Sequence, residues 1–430
     1  MKYLKRVADN VLQERLEAFG AVLVEGPKWC GKTTTSEQIA KSVIKLQDTD
    51  MREEYLAAAA RKPSILLQGS TPRLIDEWQD APVIWDAVRT TVDQRGMPGQ
   101  FILTGSNAVD NKAIRHTGTG RISRMQMHTM SLWESGESNG KISLKQLFDD
   151  SSLDIDGITS EMQIEDIVFA ACRGGWPAAL NLRSDKAKLL IARDYVESVC
   201  KVDISKVDGV QRDFRVARML LRSYARNIST LAKHSAILAD ITSSGEVSLS
   251  DKTLDDYVGA LSKLFVINNM NAWCPAIRSK TAIRSGYKRS FCDPSVAVAA
   301  LDLNPDALLI QLKTFGFIFE QLCARDLRAY TPDFGTHLSY YRDRYGLEAD
   351  LVLHLSDGRY ALIECKLGSR EIEEGAGHLL ELKRLIREHN EKEKQMPIRE
   401  PDLLIVLTGG QMAYTRTDGV KIIPLGTLKP

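Results

Sequence analysis

Short apolar runs alternate with helix-length amphipathic stretches through the first third of the chain. Ala21-Val22-Leu23-Val24 precedes a glycine-rich loop and a helical stretch. Arg73-Leu74-Ile75 ends in Asp76-Glu77, and Phe101-Ile102-Leu103-Thr104 ends at Gly105-Ser106. Brief apolar runs separated by helical patterns predict buried strands joined by helices, the pattern of a parallel α/β sheet. Ligands of open α/β sheets bind beyond the carboxyl ends of the strands. The residues after these runs are therefore the first candidates for chemistry.

Between Glu134 and Thr159 the pattern turns polar, with Gly136, Gly140 and Gly157. This stretch reads either as the exit from a first domain or as a local surface loop. The middle third is mostly helical in pattern. Strand alternation returns near Leu338 and continues to the end, around one long charged helix from Glu371 to about Lys394.

Composition narrows the function classes. The 430 residues are 43% hydrophobic and 26% charged, which excludes intrinsic disorder as the main state. Lys and Arg number 57 against 56 Asp and Glu, a net charge of +1, so no uniformly basic nucleic-acid coat is present. The seven cysteines form no CxxC pair, which argues against a zinc ribbon and suits a reducing compartment. No apolar run approaches the roughly 20 residues that cross a bilayer, and the opening residues do not resemble a signal peptide. The expectation is a soluble cytoplasmic protein without a membrane partner.

Gly26-Pro27-Lys28-Trp29-Cys30-Gly31-Lys32-Thr33 fits G-x-x-x-x-G-K-[ST], with Thr34 following. In such a loop successive backbone N–H groups converge on phosphate oxygens, and the next helix adds its positive end. Lys32 would reach the β- and γ-phosphates of ATP, and Thr33 would ligate Mg²⁺. Asp76 would complete the magnesium shell, and Glu77 would polarise the attacking water. Ser106 or Asn107, on the next strand end, could sense the γ-phosphate. Arg121 and Arg124 follow in Gly118-Thr119-Gly120-Arg121-Ile122-Ser123-Arg124, as candidate arginine fingers acting in their own chain or in a neighbour's. The order of P-loop, Asp-Glu strand and polar strand end resembles the AAA+ ATPases.

Two features of the middle region raise nucleic acid as a partner. Arginines at 212, 215, 218, 222 and 226 fall within an arc of roughly 120° on a helix of about 3.6 residues per turn. This stripe could contact a phosphate backbone or be paired with acids from elsewhere. The helical stretch from Thr230 to Ile241 and a second beginning at Ser250 then precede strand-like segments, an order that resembles a winged helix-turn-helix. The acid-free stretch from Ile277 to Ser290, with Arg278, Lys280, Arg284, Lys288 and Arg289, would be its wing, meeting DNA or serving only in packing.

Near the C terminus, Glu348 to Leu353 and Tyr360 to Lys366 flank a Ser356-Asp357-Gly358-Arg359 turn and predict a β-hairpin. Residues two apart on a strand share a face, so Glu364 and Lys366 point together, with Asp350 on the neighbouring strand. Two carboxylates beside a lysine could share a second divalent metal and hydrolyse a phosphodiester. The pattern resembles the PD-(D/E)xK nucleases, with Glu320 as the further acid on a preceding helix. The same residues could also persist as an inactive docking platform.

Across nearly its whole length the chain resembles a group of prokaryotic AAA-type ATP-binding proteins that carry a C-terminal domain of unknown function with a nuclease-like core. Residues carrying this resemblance include Gly26–Thr34, Leu74–Gln79, Leu103–Asn107, Gly120-Arg121, Gly174-Gly175-Trp176-Pro177, Asp293-Pro294-Ser295 and Glu348–Lys366. The expected architecture is α/β. A P-loop AAA+-like parallel sheet occupies 1–135, a helical lid and winged-helix-like region 160–275, and a restriction-endonuclease-like α/β domain 276–430. The resemblance implies ATP binding and Mg²⁺-dependent hydrolysis. Relatives often form rings, and an oligomer is open here.

Overall fold

The computed structural model describes residues 3–108, 116–243, 245, 247–274, 286–332, 337–395 and 397–430. The first apolar runs form strands β1 (Ala21–Glu25), β2 (Ser42–Lys45), β3 (Arg73–Asp76), β4 (Phe101–Gly105) and β5 (Ile122–Gln126). They make one all-parallel sheet in the order β2-β3-β4-β1-β5. Parallel strands are covered on both faces, which is why β1 and β4 read as continuous apolar runs. Alternate residues serve opposite sides. Ala21 and Leu23 pack with Trp85, Phe101 and Leu103, whereas Val22 and Val24 pack with Leu12, Leu74 and Ile102. Because β4 lies between β1 and β3, the P-loop, Asp76-Glu77 and Ser106-Asn107 emerge side by side at one sheet edge.

The remaining strands are β6 (Ile142–Ser143), β7 (Asn271–Ala272), β8 (His337–Arg342), β9 (Glu348–His354), β10 (Tyr360–Lys366), β11 (Leu403–Thr408), β12 (Tyr414–Thr415), β13 (Lys421–Pro424) and β14 (Leu428–Lys429). Seven of them form a mixed sheet in the order β12-β13-β11-β10-β9-β8-β7. The hairpin expected around Asp357 is present, with β9 antiparallel to β10. Helix Leu312–Tyr330 is buried almost throughout from Phe315 onward, and helix Ile372–Lys392 packs its Ala376, Leu379 and Leu382 side on the sheet.

The polar stretch after Glu134 is not an exposed exit. β6 pairs in parallel with β14, and Thr159 bridges Met412. Ile142, Leu144, Leu147 and Phe148 join a core that runs on through the middle helices to Leu428. The apolar positions are correctly spaced but few, so the polar average conceals them.

The arginine stripe is corrected in two respects. The helix is Phe214–Arg226, so Arg212 lies before it, is buried, and is held by Asp208 and Asp256. The other four each meet an acid: Arg215 pairs with Asp213, Arg218 with Glu197 and Asp302, Arg222 with Asp302, and Arg226 with Asp240. The sequence shows five cations on one arc; Asp208 and Asp213 are local partners, and the fold brings Glu197, Asp240, Asp256 and Asp302 from other segments. Helices His234–Thr242 and Asp251–Lys263 follow, and Ser250 caps the second by accepting from the Thr253 N–H. Antiparallel bridges Ile267–Phe291 and Met270–Lys288 come next. Of the proposed wing, Arg278, Lys280 and Arg284 lie outside the described residues. Lys288 and Arg289 are buried and point to internal partners.

Candidate nucleotide site

β1 ends at Glu25, and the chain turns at Gly26 into the loop. A Cβ at Gly26 would sit 2.2 Å from the Met127 carbonyl oxygen, and its φ of 153° favours glycine. Gly31 begins helix Lys32–Glu37 at φ 103°, again outside the range of ordinary side chains. Lys32 is buried, and its ammonium donates to the carbonyls of Gly26 and Pro27 at 3.0 and 2.9 Å. The cation is thus held by backbone, and among the described residues no carboxylate pairs with it.

Thr33 donates from Oγ1 to Asp76 Oδ1 at 2.6 Å, and Thr104 donates to the same oxygen at 2.6 Å. Glu77 has a left-handed backbone, φ 54°, a conformation that costs energy and clusters at functional sites. Its Oε2 accepts from Ser106 Oγ at 2.9 Å and from Gln79. The neighbouring Lys45 pairs with Glu37 at 2.7 Å, and among the described residues neither Asp76 nor Glu77 carries an ion pair. The Thr33 hydroxyl and Asp76 carboxylate offer hard oxygens of the kind Mg²⁺ takes beside phosphate and water. These residues fit the ion.

Lys28, Trp29, Gly31 to Thr34, Glu77, Ser106 and Asn107 all line one cleft of about 800 Å³. Gly26 and Pro27 hold Lys32, Asp76 holds Thr33, and the Cys30 carbonyl accepts from Arg6, so these four act through the residues around the cleft. Its far wall comes from the helical region and includes Pro177, Ile191, Asp203, Lys206 and Leu264. A single π-helical turn, Val199–Asp203, ends at Asp203, whose Oδ1 accepts from Lys28 Nζ at 2.6 Å. Trp29 meets Tyr195 at 5.7 Å between ring centroids, and Tyr195 meets Trp176 at 4.4 Å. The Gly174–Pro177 and Asp293–Ser295 motifs turn out to brace this wall. Gly175 donates its N–H to Asp293 at 2.9 Å, and Trp176 Nε1 donates to Ser295 at 2.9 Å.

Arg121 and Arg124 are not brought to the cleft. Ile122 pairs with Ala21 at the start of both strands, whereas the P-loop follows Glu25. At about 3.3 Å per residue this separates Arg121, one residue before that pair, from Gly26 by about 20 Å along the sheet. Arg121 pairs with Asp93 at 2.7 Å, and Arg124 lies 3.6 Å from Glu25 with its guanidinium over the Trp85 ring. Arg121 precedes β5 and so lies at the edge opposite the ligand end, whereas Arg124 sits within β5 and is turned onto Glu25 and Trp85; neither lines the cleft.

Sequence reasoning missed Arg6. It is buried, donates to the Cys30 carbonyl of the P-loop at 2.8 Å and pairs with Glu134 at 3.0 Å. It therefore ties the loop to a segment more than a hundred residues away. No motif marks it; a lone basic residue before an amphipathic helix carries no signal.

The C-terminal residues Glu320, Asp350, Glu364 and Lys366 do come together, but around internal cations. Lys366 Nζ lies 2.7 Å from Glu364, and Lys288 lies 2.6 Å from Glu320 and 3.6 Å from Asp350. Asp350 Oδ2 accepts the Cys365 N–H at 2.9 Å. Burial pushes the Glu320 carboxyl up to about 8 against the pull of Lys288. Burial, with the Asp350 charge, raises Glu364 to about 8 as well. Burial opposes the Lys288 ammonium, but Glu320 and Asp350 outweigh it and shift its pKa upward. Among the described residues no group of three His, Cys, Asp or Glu side chains is placed to hold a metal. Asp350 and Glu364, the pair expected to share a second divalent metal, meet the Cys365 N–H and Lys366.

No described helix is long and apolar enough to cross a membrane. Residues 18–135 match the family model described as an AAA domain. Residues 164–307 and 315–428 match two families described as domains of unknown function, DUF8612 and DUF4143. An uncharacterized protein of Mycobacterium tuberculosis is 23% identical over 367 residues, spanning 83% of this chain and 72% of its own length. A Mycobacterium bovis protein matches with the same figures. Among solved structures, the Walker-type ATPase of Pyrococcus abyssi aligns at a TM-score of 0.41 and 14% identity, over 69% of this chain and 96% of that one. A signal transduction ATPase of Pyrococcus horikoshii with a tetratricopeptide repeat sensor aligns at 0.24 and 13% identity, over 76% and 48%. The AAA-domain match, the five parallel strands and the P-loop together support an ATP-binding ATPase of the AAA type.

Proposed function

We propose that this chain is a Mg²⁺-dependent ATPase whose cleft is closed by the helical region, which carries the nucleotide state towards the C-terminal α/β domain. The observation that carries the reading is Thr33 on Asp76 at 2.6 Å, with Glu77 held beside it by Ser106. The P-loop N–H groups would bind the phosphates, and Lys32 would turn from its carbonyls to the β,γ-oxygens. Thr33 and Asp76 would hold Mg²⁺, which when bound neutralises charge on the phosphates. Glu77 would accept the proton of the attacking water, with Ser106 keeping its carboxylate aimed at the γ-phosphate position. The Lys28–Asp203 pair and the Trp29–Tyr195 contact support coupling, since any shift of the loop is felt by the helical wall.

Steady-state turnover of Mg·ATP tests this. Hydrolysis lost in Lys32→Ala supports it; equal hydrolysis in that variant overturns it. Coupling to DNA or RNA, expected from the arginine stripe, loses that support because the stripe is paired with acids. Stimulation of turnover by nucleic acid at low salt would restore it.

A further inference from the structure

We propose that Lys288 is a resident cation of the C-terminal domain, standing where a divalent metal would have to sit between Glu320 and Asp350. Glu320 and Asp350 are then the partners of an internal lysine and not two ligands of a metal-dependent phosphodiester-cleaving centre. This inference stands apart from the ATPase reading and uses none of its residues.

The acids come from three elements: Glu320 from helix Leu312–Tyr330, Asp350 from β9 and Glu364 from β10. Such convergence suggested a hydrolytic site in the sequence. On the Glu320 and Asp350 side the donor set is already committed, however. Lys288 Nζ donates to Glu320 Oε1 at 2.6 Å and to the Asp350 carbonyl at 3.2 Å, and lies 3.6 Å from Asp350 Oδ1. The other Asp350 oxygen is taken by the Cys365 N–H. Glu364 lies 2.7 Å from Lys366 Nζ and 3.7 Å from His378 Nδ1, and among the described residues neither of its buried oxygens receives a hydrogen bond, so the resident cation accounts for Glu320 and Asp350 only. Mg²⁺ requires near-octahedral oxygen ligation at short range, and a further cation beside two ammonium groups meets like charge in a dry interior.

Lys288 is also fixed in place. It is 5% exposed, and its backbone exchanges two hydrogen bonds of 3.0 Å with Met270. Its ammonium lies 5.9 Å from the centre of the Tyr340 ring. A flexible surface lysine could swing aside for an incoming metal. This one could do so only by leaving a buried charge unpaired, which costs several kcal/mol.

The test is Mn²⁺ binding followed by electron paramagnetic resonance, without nucleotide, on the full chain carrying Lys32→Ala so that the P-loop contributes nothing. With Lys288 present, Mn²⁺ binding should be the same whether or not Asp350→Asn is added. Lys288→Met should create a site at least tenfold tighter than any binding seen before, and Asp350→Asn should remove it. An Asp350-dependent Mn²⁺ site in the presence of Lys288 would overturn the proposal. So would a folded Lys288→Met protein that gains no site. If Lys288→Met does not fold, the comparison with Glu320→Gln in the presence of Lys288 decides. Equal Mn²⁺ binding upholds the resident cation, and a site lost with Glu320 refutes it.

Discussion

The chain places acids and lysines together twice, at the ligand edge of the N-terminal sheet and inside the C-terminal domain, and the two places differ in what holds the lysine. Lys32 is held by carbonyl oxygens, and Asp76 and Glu77 are held by hydroxyl and amide groups. Lys288 and Lys366 are held by the carboxylates themselves. In the first place the groups remain available to a ligand; in the second the acids and lysines hold one another. Residue type at the right spacing therefore identifies a charged cluster, and the partners decide whether it is a site.

The largest effect should come from Lys32→Ala. Mg·ATP affinity should fall by about 100-fold or more, equivalent to about 2.7 kcal/mol, while the melting temperature changes little. An equilibrium titration and a thermal scan check both halves. Glu77→Gln should retain ATP binding and lose about 10²–10⁴-fold in kcat, read by single-turnover hydrolysis. Unchanged kcat would remove Glu77 as the base. At the second cluster the expectation reverses. Lys366→Met should lower stability by about 1–3 kcal/mol in urea, the lower end reflecting its partial exposure, and leave ATP turnover unchanged.

A further expectation concerns pH. Glu364 titrates near 8 in the folded chain, above the usual carboxylate range. From about pH 4.5 to 8 the folded state keeps a proton that the unfolded chain has released. This group's contribution to stability therefore falls as pH rises through that window. Glu364→Gln should flatten the slope by up to one proton per molecule, measured by denaturation at several pH values. An unchanged slope would mean that Glu364 is ionised throughout.

The nucleotide cleft was legible where its chemistry is local. Gly26 to Thr33 is one continuous loop, and Asp76-Glu77 terminates its own strand, so neither depends on distant pairing. Arg121 was misplaced because position after an earlier strand does not reveal which edge a residue occupies; the Ala21–Ile122 register does. Arg6 and Asp203 were illegible because their partners, Cys30 and Lys28, lie across the fold. The arginines near 218 looked like a binding face because Asp302 and Asp240 arrive from other segments. The β9–β10 hairpin was readable from its turn, yet Lys288, which decides what Asp350 and Glu320 can do, comes from a stretch that looked like a surface wing.

A calorimetric titration of Mg·ATP into the intact protein, repeated with Lys32→Ala, weighs the whole account. One binding event per chain that disappears in the variant is the predicted result. No heat of association in the folded wild-type protein, or the same isotherm in both, would contradict it.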